Sequence, residues 1–198
     1  ATKLWPINRS ITGQGVRDTL RIISEIIPNL KIFSIPTKTK VFDWNVPKEW
    51  FVKKAYIITP KGNKICDYSK NNLHLIGYSA PFNGEINLKD LKKHLYTLPD
   101  QPNAIPYITS YYKERWGFCI SHDEYKNLEN GTYKVVIDSI LFDGELNYGE
   151  LLIDGKSNKE ILLSTYICHP SMANNELSGP TVVTFLAKWL SQIEKPEY

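Results

Sequence analysis

Residues 161–168 read Ile-Leu-Leu-Ser-Thr-Tyr-Ile-Cys, a near-continuous apolar run closed by His169 and Pro170. A strand with one wet face alternates apolar and polar residues; a strand covered on both faces does not. The run therefore predicts a strand buried on both faces. A helix signal follows at once. Over residues 180–193, Val183, Leu186, Leu190 and Ile193 form a stripe that Val182, Phe185 and Trp189 widen, and Pro180 suits a first turn. That helix is expected to be largely buried. Ligands of open α/β sheets gather just beyond the carboxyl ends of strands. The loop 168–179, Cys-His-Pro-Ser-Met-Ala-Asn-Asn-Glu-Leu-Ser-Gly, stands at that end.

Upstream, Val16, Leu20, Ile23 and Ile27 step by four, three and four, which predicts a helix over residues 12–27 stopped by Pro28. Residues 31–44 read as one or two strands broken at Pro36. Beyond Pro47 the texture changes to Tyr, Trp, Pro and Asn with short β-like runs. Pro60-Lys61-Gly62-Asn63 marks a hairpin, residues 73–78 a third short strand, and Leu88, Leu91, Leu95 and Leu98 a short helix. From Thr132 cleaner strands return, over 133–142 and 145–153, joined at Asp143-Gly144 as a hairpin. The expected organisation is an α/β domain from 1–45 and 132–198, interrupted by a β-rich insert at 46–131.

Charge and composition exclude several classes. The balance of 24 basic against 21 acidic residues gives +3, with no Lys/Arg block longer than a pair, so no clustered basic face is present for nucleic acid. No segment approaches eighteen consecutive apolar residues, and no membrane partner is expected. Three cysteines at wide spacing, without a CxxC, fit free thiols in a reducing compartment better than a disulfide framework. The chain reads as soluble and cytoplasmic.

In the 168–179 loop, one imidazole at a strand end with amides and an acid a few residues on suits half of a metal site. The plainer reading makes His169 a hydrogen-bonded loop residue and Ser178 a helix cap. Elsewhere Cys119 and His122 suggest a dyad, although a buried thiol explains Cys119 as well. Cys168 is expected to point away from His169, since neighbours on a strand face opposite ways. His74 reads as a core histidine and His94 as part of a solvated face. The Tyr/Trp cluster between Tyr107 and Phe118 reads as core, with stacking on sugar rings as the alternative.

The order strand, His169, loop, Ala173-Asn174-Asn175-Glu176-Leu177-Ser178-Gly179, helix resembles the co-catalytic zinc aminopeptidases. More closely, Arg9-Ser10-Ile11-Thr12-Gly13, Val41-Phe42-Asp43-Trp44, Asn71-Asn72-Leu73-His74, Ile105-Pro106-Tyr107, Trp116-Gly117-Phe118-Cys119 and Cys168-His169-Pro170-Ser171 resemble the aminopeptidase-like proteins of surface-polysaccharide biosynthesis clusters, which carry an inserted β-rich domain. The resemblance implies a zinc-aminopeptidase-like three-layer α/β fold, incomplete at the C-terminus, and metal-assisted hydrolysis of an amide. It implies one or two zinc ions and a peptide or amino-sugar-like small substrate. His169 matches the first metal-binding histidine, Ser171 stands in place of the aspartate that orients it, and Asn175 in place of the aspartate that bridges two metals. The ligands expected here are His169, Asn175 and Glu176, with the general base expected beyond Tyr198 in a longer protein. The alternative is a catalytically silent binding module of cell-surface glycan assembly.

Overall fold

Val16, Leu20, Ile23 and Ile27 are all buried, as their spacing predicts. The helix that carries the first three, α1, runs Gln14–Ser24. The structure is a computed structural model that describes residues 1–197. Strands β1 (Lys31–Pro36), β2 (Lys40–Val41) and β3 (Trp44–Asn45) follow, then β4 (Glu49–Ile58), β5 (Lys64–Ile65) and β6 (Phe82–Asn87). Helix α2 (Leu88–Leu91), β7 (Leu95–Tyr96), β8 (Phe118–Cys119), α3 (His122–Lys126), β9 (Thr132–Phe142), β10 (Glu145–Glu150) and α4 (Ser178–Leu190) complete the order. The result is a mixed α/β architecture with small sheets, in two compact units. One joins Ala1–Glu49 to the chain from Asp143 onward, and the other is Trp50–Phe142.

The continuous unit is built on a four-stranded sheet of order β5-β4-β9-β6. The turn at 60–63 forms as predicted and sets Ile57 opposite Ile65, with Gly62 at φ +83°. Val52, Ala55 and Ile57 of β4 meet Tyr133, Val135 and Ile137 of β9 in one core, which Leu88, Leu91, Leu95, Phe118 and Ile120 close. Two expectations fail locally. Residues 72–74 form a 3-10 turn because the Asn71 side chain accepts the Leu73 N–H, competing with extended backbone. The leucine-spaced helix stops at Leu91, followed by one 3-10 turn, and Leu95 enters β7 parallel to β8. Leu88, Leu91 and Leu95 are buried all the same.

In the discontinuous unit β1 and β10 pair antiparallel from Lys31↔Glu150 to Pro36↔Glu145, and Phe33 stacks on its cross-strand partner Tyr148 at 5.1 Å. Leu20 and Leu30 crowd Gly149 so closely that a Cβ there would lie 2.9 Å from Leu20. Arg17 and Glu49 form a bidentate pair at 2.7 and 2.9 Å, with Glu49 only 3% exposed. The same Glu49 Oε1 accepts the Glu145 N–H at 3.0 Å.

Three larger expectations are corrected here. The strands flanking Asp143-Gly144 form no hairpin, because β9 pairs with β6 and β4 whereas β10 pairs with β1. Residues 151–168 form no regular secondary structure, and Leu162 is 88% exposed. A strand covered on both faces exists through its ladder partners, and among the described residues no strand pairs with 161–168, while further upstream the Lys156 and Ser157 N–H groups donate to the Pro196 and Glu197 carbonyls. Helix α4 buries only Pro180 and Thr184, while Val182, Phe185 and Trp189 stay more than half exposed. An open cavity of about 1330 Å³ lies between α1, β10, residues 151–168 and α4.

Candidate metal centre

After Pro170 the backbone reverses through two consecutive left-handed residues, Ser171 at φ 50° and Met172 at φ 52°. Neither is glycine, and each such residue costs about 1–2 kcal/mol. Strain of this kind concentrates at functional sites. The reversal leads into a wide π-type turn, Ala173–Leu177, in which the Glu176 N–H donates to the Met172 carbonyl at 2.8 Å. The turn runs directly into α4. There a Cβ on Gly179 would strike the Thr165 hydroxyl, so glycine permits the helix start to pack on the extended segment. The chain folded back in this way brings Glu176 onto His169, seven residues earlier.

Glu176 is fully buried. Its Oε1 accepts the His169 backbone N–H at 2.6 Å, and its Oε2 lies 2.9 Å from His169 Nδ1. The Tyr166 ring meets the imidazole edge-on, with centroids 5.7 Å apart. Cys168 Sγ is 3.8 Å from both ring nitrogens of His169. Equal distances place the sulfur on the lone-pair direction of neither nitrogen, so this is a close contact and no aimed hydrogen bond. The nearby Cys168 sulfur and then the Glu176 carboxylate raise the His169 pKa, against burial that opposes them. Arg9, 1% exposed, is a third charged group of the neighbourhood. Its Nη1 donates to the Leu4 carbonyl at 2.5 Å, while Nε and Nη2 have no acceptor among the described residues. Burial lowers the Arg9 pKa; the charges of Glu176 and then Cys168 pull the other way.

Cys168, His169 and Glu176 each offer a ligand atom, all within 4.8 Å of one another. Thiolate, imidazole and carboxylate are the donor types zinc takes. Of the residues expected from the sequence, His169 and Glu176 come together, while Asn175 is exposed. Ser171 Oγ reaches the Trp5 carbonyl at 3.4 Å. Cys168 was expected to face away from His169; without a strand, the alternation that separates neighbours does not operate. Arg9 lies in the Arg9-Ser10-Ile11-Thr12-Gly13 motif, which by itself points to no role at the site. Its signal was a lone arginine set among Asn8, Ser10 and Thr12 just before a helix, which is weak.

The other candidates serve packing. His74 Nδ1 lies 2.9 Å from the Cys119 carbonyl and His122 Nδ1 lies 3.0 Å from Thr97 Oγ1. Burial pushes the Cys119 thiol up to about 12, so it is no nucleophile near neutrality. His94, expected on a solvated face, is half-buried and stacks on Trp116 at 3.6 Å, with Phe82 on Trp116 at 4.2 Å. These stacks occupy Trp116, whereas Tyr112 of the same aromatic cluster is 89% exposed.

Among the described residues no helix is long and apolar enough to cross a membrane. The chain is 51% identical over 192 residues to a Clostridium acetobutylicum protein named "Putative polysaccharide biosynthesis protein with aminopeptidase-like domain", covering 97% of this chain and 44% of that protein. A crystal structure described as a putative peptidase from Clostridium acetobutylicum matches with a TM-score of 0.95 at 51% identity, over 100% of this chain and 46% of that one. The chain thus spans less than half the length of these relatives, and the resemblance to aminopeptidase-like polysaccharide-biosynthesis proteins is borne out. Residues 1–198 match one family throughout, and the chain belongs to it: the domain of unknown function DUF4910.

Proposed function

We propose that this chain contributes a metal-binding half-site to a peptidase-like hydrolase acting on an amide bond, in a peptide or an amino-sugar-like small molecule. The observation that carries the reading is the cluster of Cys168, His169 and buried Glu176 at the strained turn before α4. The peptidase-like naming of both relatives supports it. The donor set suits a single zinc ion, because Asn175 is a neutral amide and brings no charge to bridge a second. A bound zinc ion supplies Lewis-acid polarisation of the scissile carbonyl. The chain's own part is to bind and to hold. His169 offers a ring nitrogen, Cys168 a sulfur, and Arg9 balances the buried negative charge of Glu176. Because the imidazolium is favoured, metal binding displaces a proton from His169.

The fold reading goes with it. The apolar run at 161–168 and the exposed stripe of α4 border the open cavity in the manner of an unfinished core. In a zinc-aminopeptidase-like three-layer fold the run would be an inner strand, and the relatives have more than twice the chain to cover it. The experiment is zinc-edge anomalous diffraction and elemental analysis on a protein containing this chain, beside its His169→Ala variant. One zinc bound by the parent and none by the variant supports the reading; equal zinc in both removes His169 from the site.

A further inference from the structure

An imidazole that binds a metal uses one ring nitrogen, and the other is normally held by a carboxylate or carbonyl that sets its tautomer. The resemblance to zinc aminopeptidases puts such a carboxylate two residues after the histidine, where this chain has Ser171, whose hydroxyl carries no charge. Glu176 has the geometry of that missing group. One oxygen accepts the His169 backbone N–H at 2.6 Å and the other lies 2.9 Å from Nδ1, so a single carboxylate grips both main chain and ring. The side chain of Glu176 is 0% exposed, whereas that of His169 is 25% exposed. An ion reaching the site from solvent therefore meets the histidine, with the carboxylate behind it.

We infer that Glu176 is the positioning residue of His169 and no metal ligand: it keeps the proton on Nδ1 and presents Nε2 to the metal. This rests on the metal-site reading above. The π-type turn is what makes it possible, since it returns Glu176 to His169 across seven residues. The distribution of roles differs from the ligand set expected from the sequence, in which Glu176 coordinates the ion. Here His169 would offer Nε2 and Cys168 its sulfur to the ion.

The test uses a protein containing this chain, labelled with ¹⁵N-histidine, with Zn²⁺ and Co²⁺ as the probes. Nitrogen shifts should report metallated Nε2 and protonated Nδ1 in the parent. In Glu176→Gln, Zn²⁺ should bind about 10–100-fold more weakly, the loss typical of an outer-shell partner. The Co²⁺ absorption bands should keep their positions, because the ligand set is unchanged. Metallated Nδ1, or Co²⁺ bands moved in Glu176→Gln, would overturn the inference. Absence of metal binding by the parent would overturn the metal reading instead. The metal-free spectrum, recorded at a pH alkaline enough to leave His169 neutral, then decides between the two nitrogens: a proton on Nδ1 supports positioning, and a proton on Nε2 refutes it. Should Glu176→Gln fail to fold, the nitrogen assignment in the parent decides alone.

Discussion

Replacing Glu49 by glutamine tests how the discontinuous unit is held together. Its carboxylate forms two parallel bonds with Arg17, at 2.7 and 2.9 Å, and accepts the Glu145 N–H at 3.0 Å. Glutamine keeps one acceptor oxygen but turns an NH₂ group toward the guanidinium, setting donor against donor. Breaking a fully buried pair costs about 3–5 kcal/mol. The Arg17 side chain is 30% exposed, so water recovers part of that, and a loss of roughly 2–3 kcal/mol remains. The effect also has a pH signature. Hydrogen bonds from Arg17, outweighing burial, hold the Glu49 pKa below its ordinary 4.5. A group depressed in the folded state stabilises it above the unfolded pKa, and the contribution fades as pH falls through the folded value. Urea unfolding of wild type and Glu49→Gln, fitted at pH 7 and at steps down to pH 3, should show a full gap at pH 7 that narrows below 4.5. A gap under about 0.5 kcal/mol at pH 7, the size of an ordinary surface change, would refute the reasoning. So would a gap that does not change with pH.

Thiol labelling of the folded chain should modify Cys168 alone, since burial raises the pKa of both Cys66 and Cys119; added zinc should slow it, and rapid labelling of either buried thiol would show that the core opens. Residues 50–142 expressed alone should unfold cooperatively with dispersed NMR signals, because their core draws on no residue outside that span; a collapsed, poorly dispersed spectrum would contradict this. The 198-residue chain supplied with zinc should not turn over aminoacyl chromogenic substrates, since His169 and Cys168 alone offer it donors and Asn175 brings no charged bridge. Zinc-dependent turnover lost in His169→Ala would overturn that expectation.

Local signals were legible where a short segment carries its own answer. The stripe of α1 and the turn at Gly62 both appear where residue spacing and backbone freedom put them. The apolar run at 161–168 has the composition of a strand covered on both faces, yet its hydrogen-bonded partners must come from other segments. Asp143-Gly144 carried a hairpin signal, but strand pairing is decided by partners far along the chain. At the candidate centre, His169 and Glu176 were legible as chemistry; their contact was not. It depends on left-handed Ser171 and Met172, conformations that neither residue type advertises.

The pairing of β1 with β10 has a consequence for how the protein is made. Every partner of residues 31–36 lies beyond residue 144, so the ribbon is a contact of very high sequence separation. Ribosomes add about 5–20 residues each second, which leaves β1 waiting on the order of ten seconds for its partner. Residues 50–142 emerge complete during that wait and can fold while the flanking unit is still open. Ile32 and Phe33, unpaired through this interval, form an exposed apolar edge open to the wrong neighbour. Nascent-chain aggregation should therefore fall when Phe33 is made polar, even if the finished protein loses its stack on Tyr148.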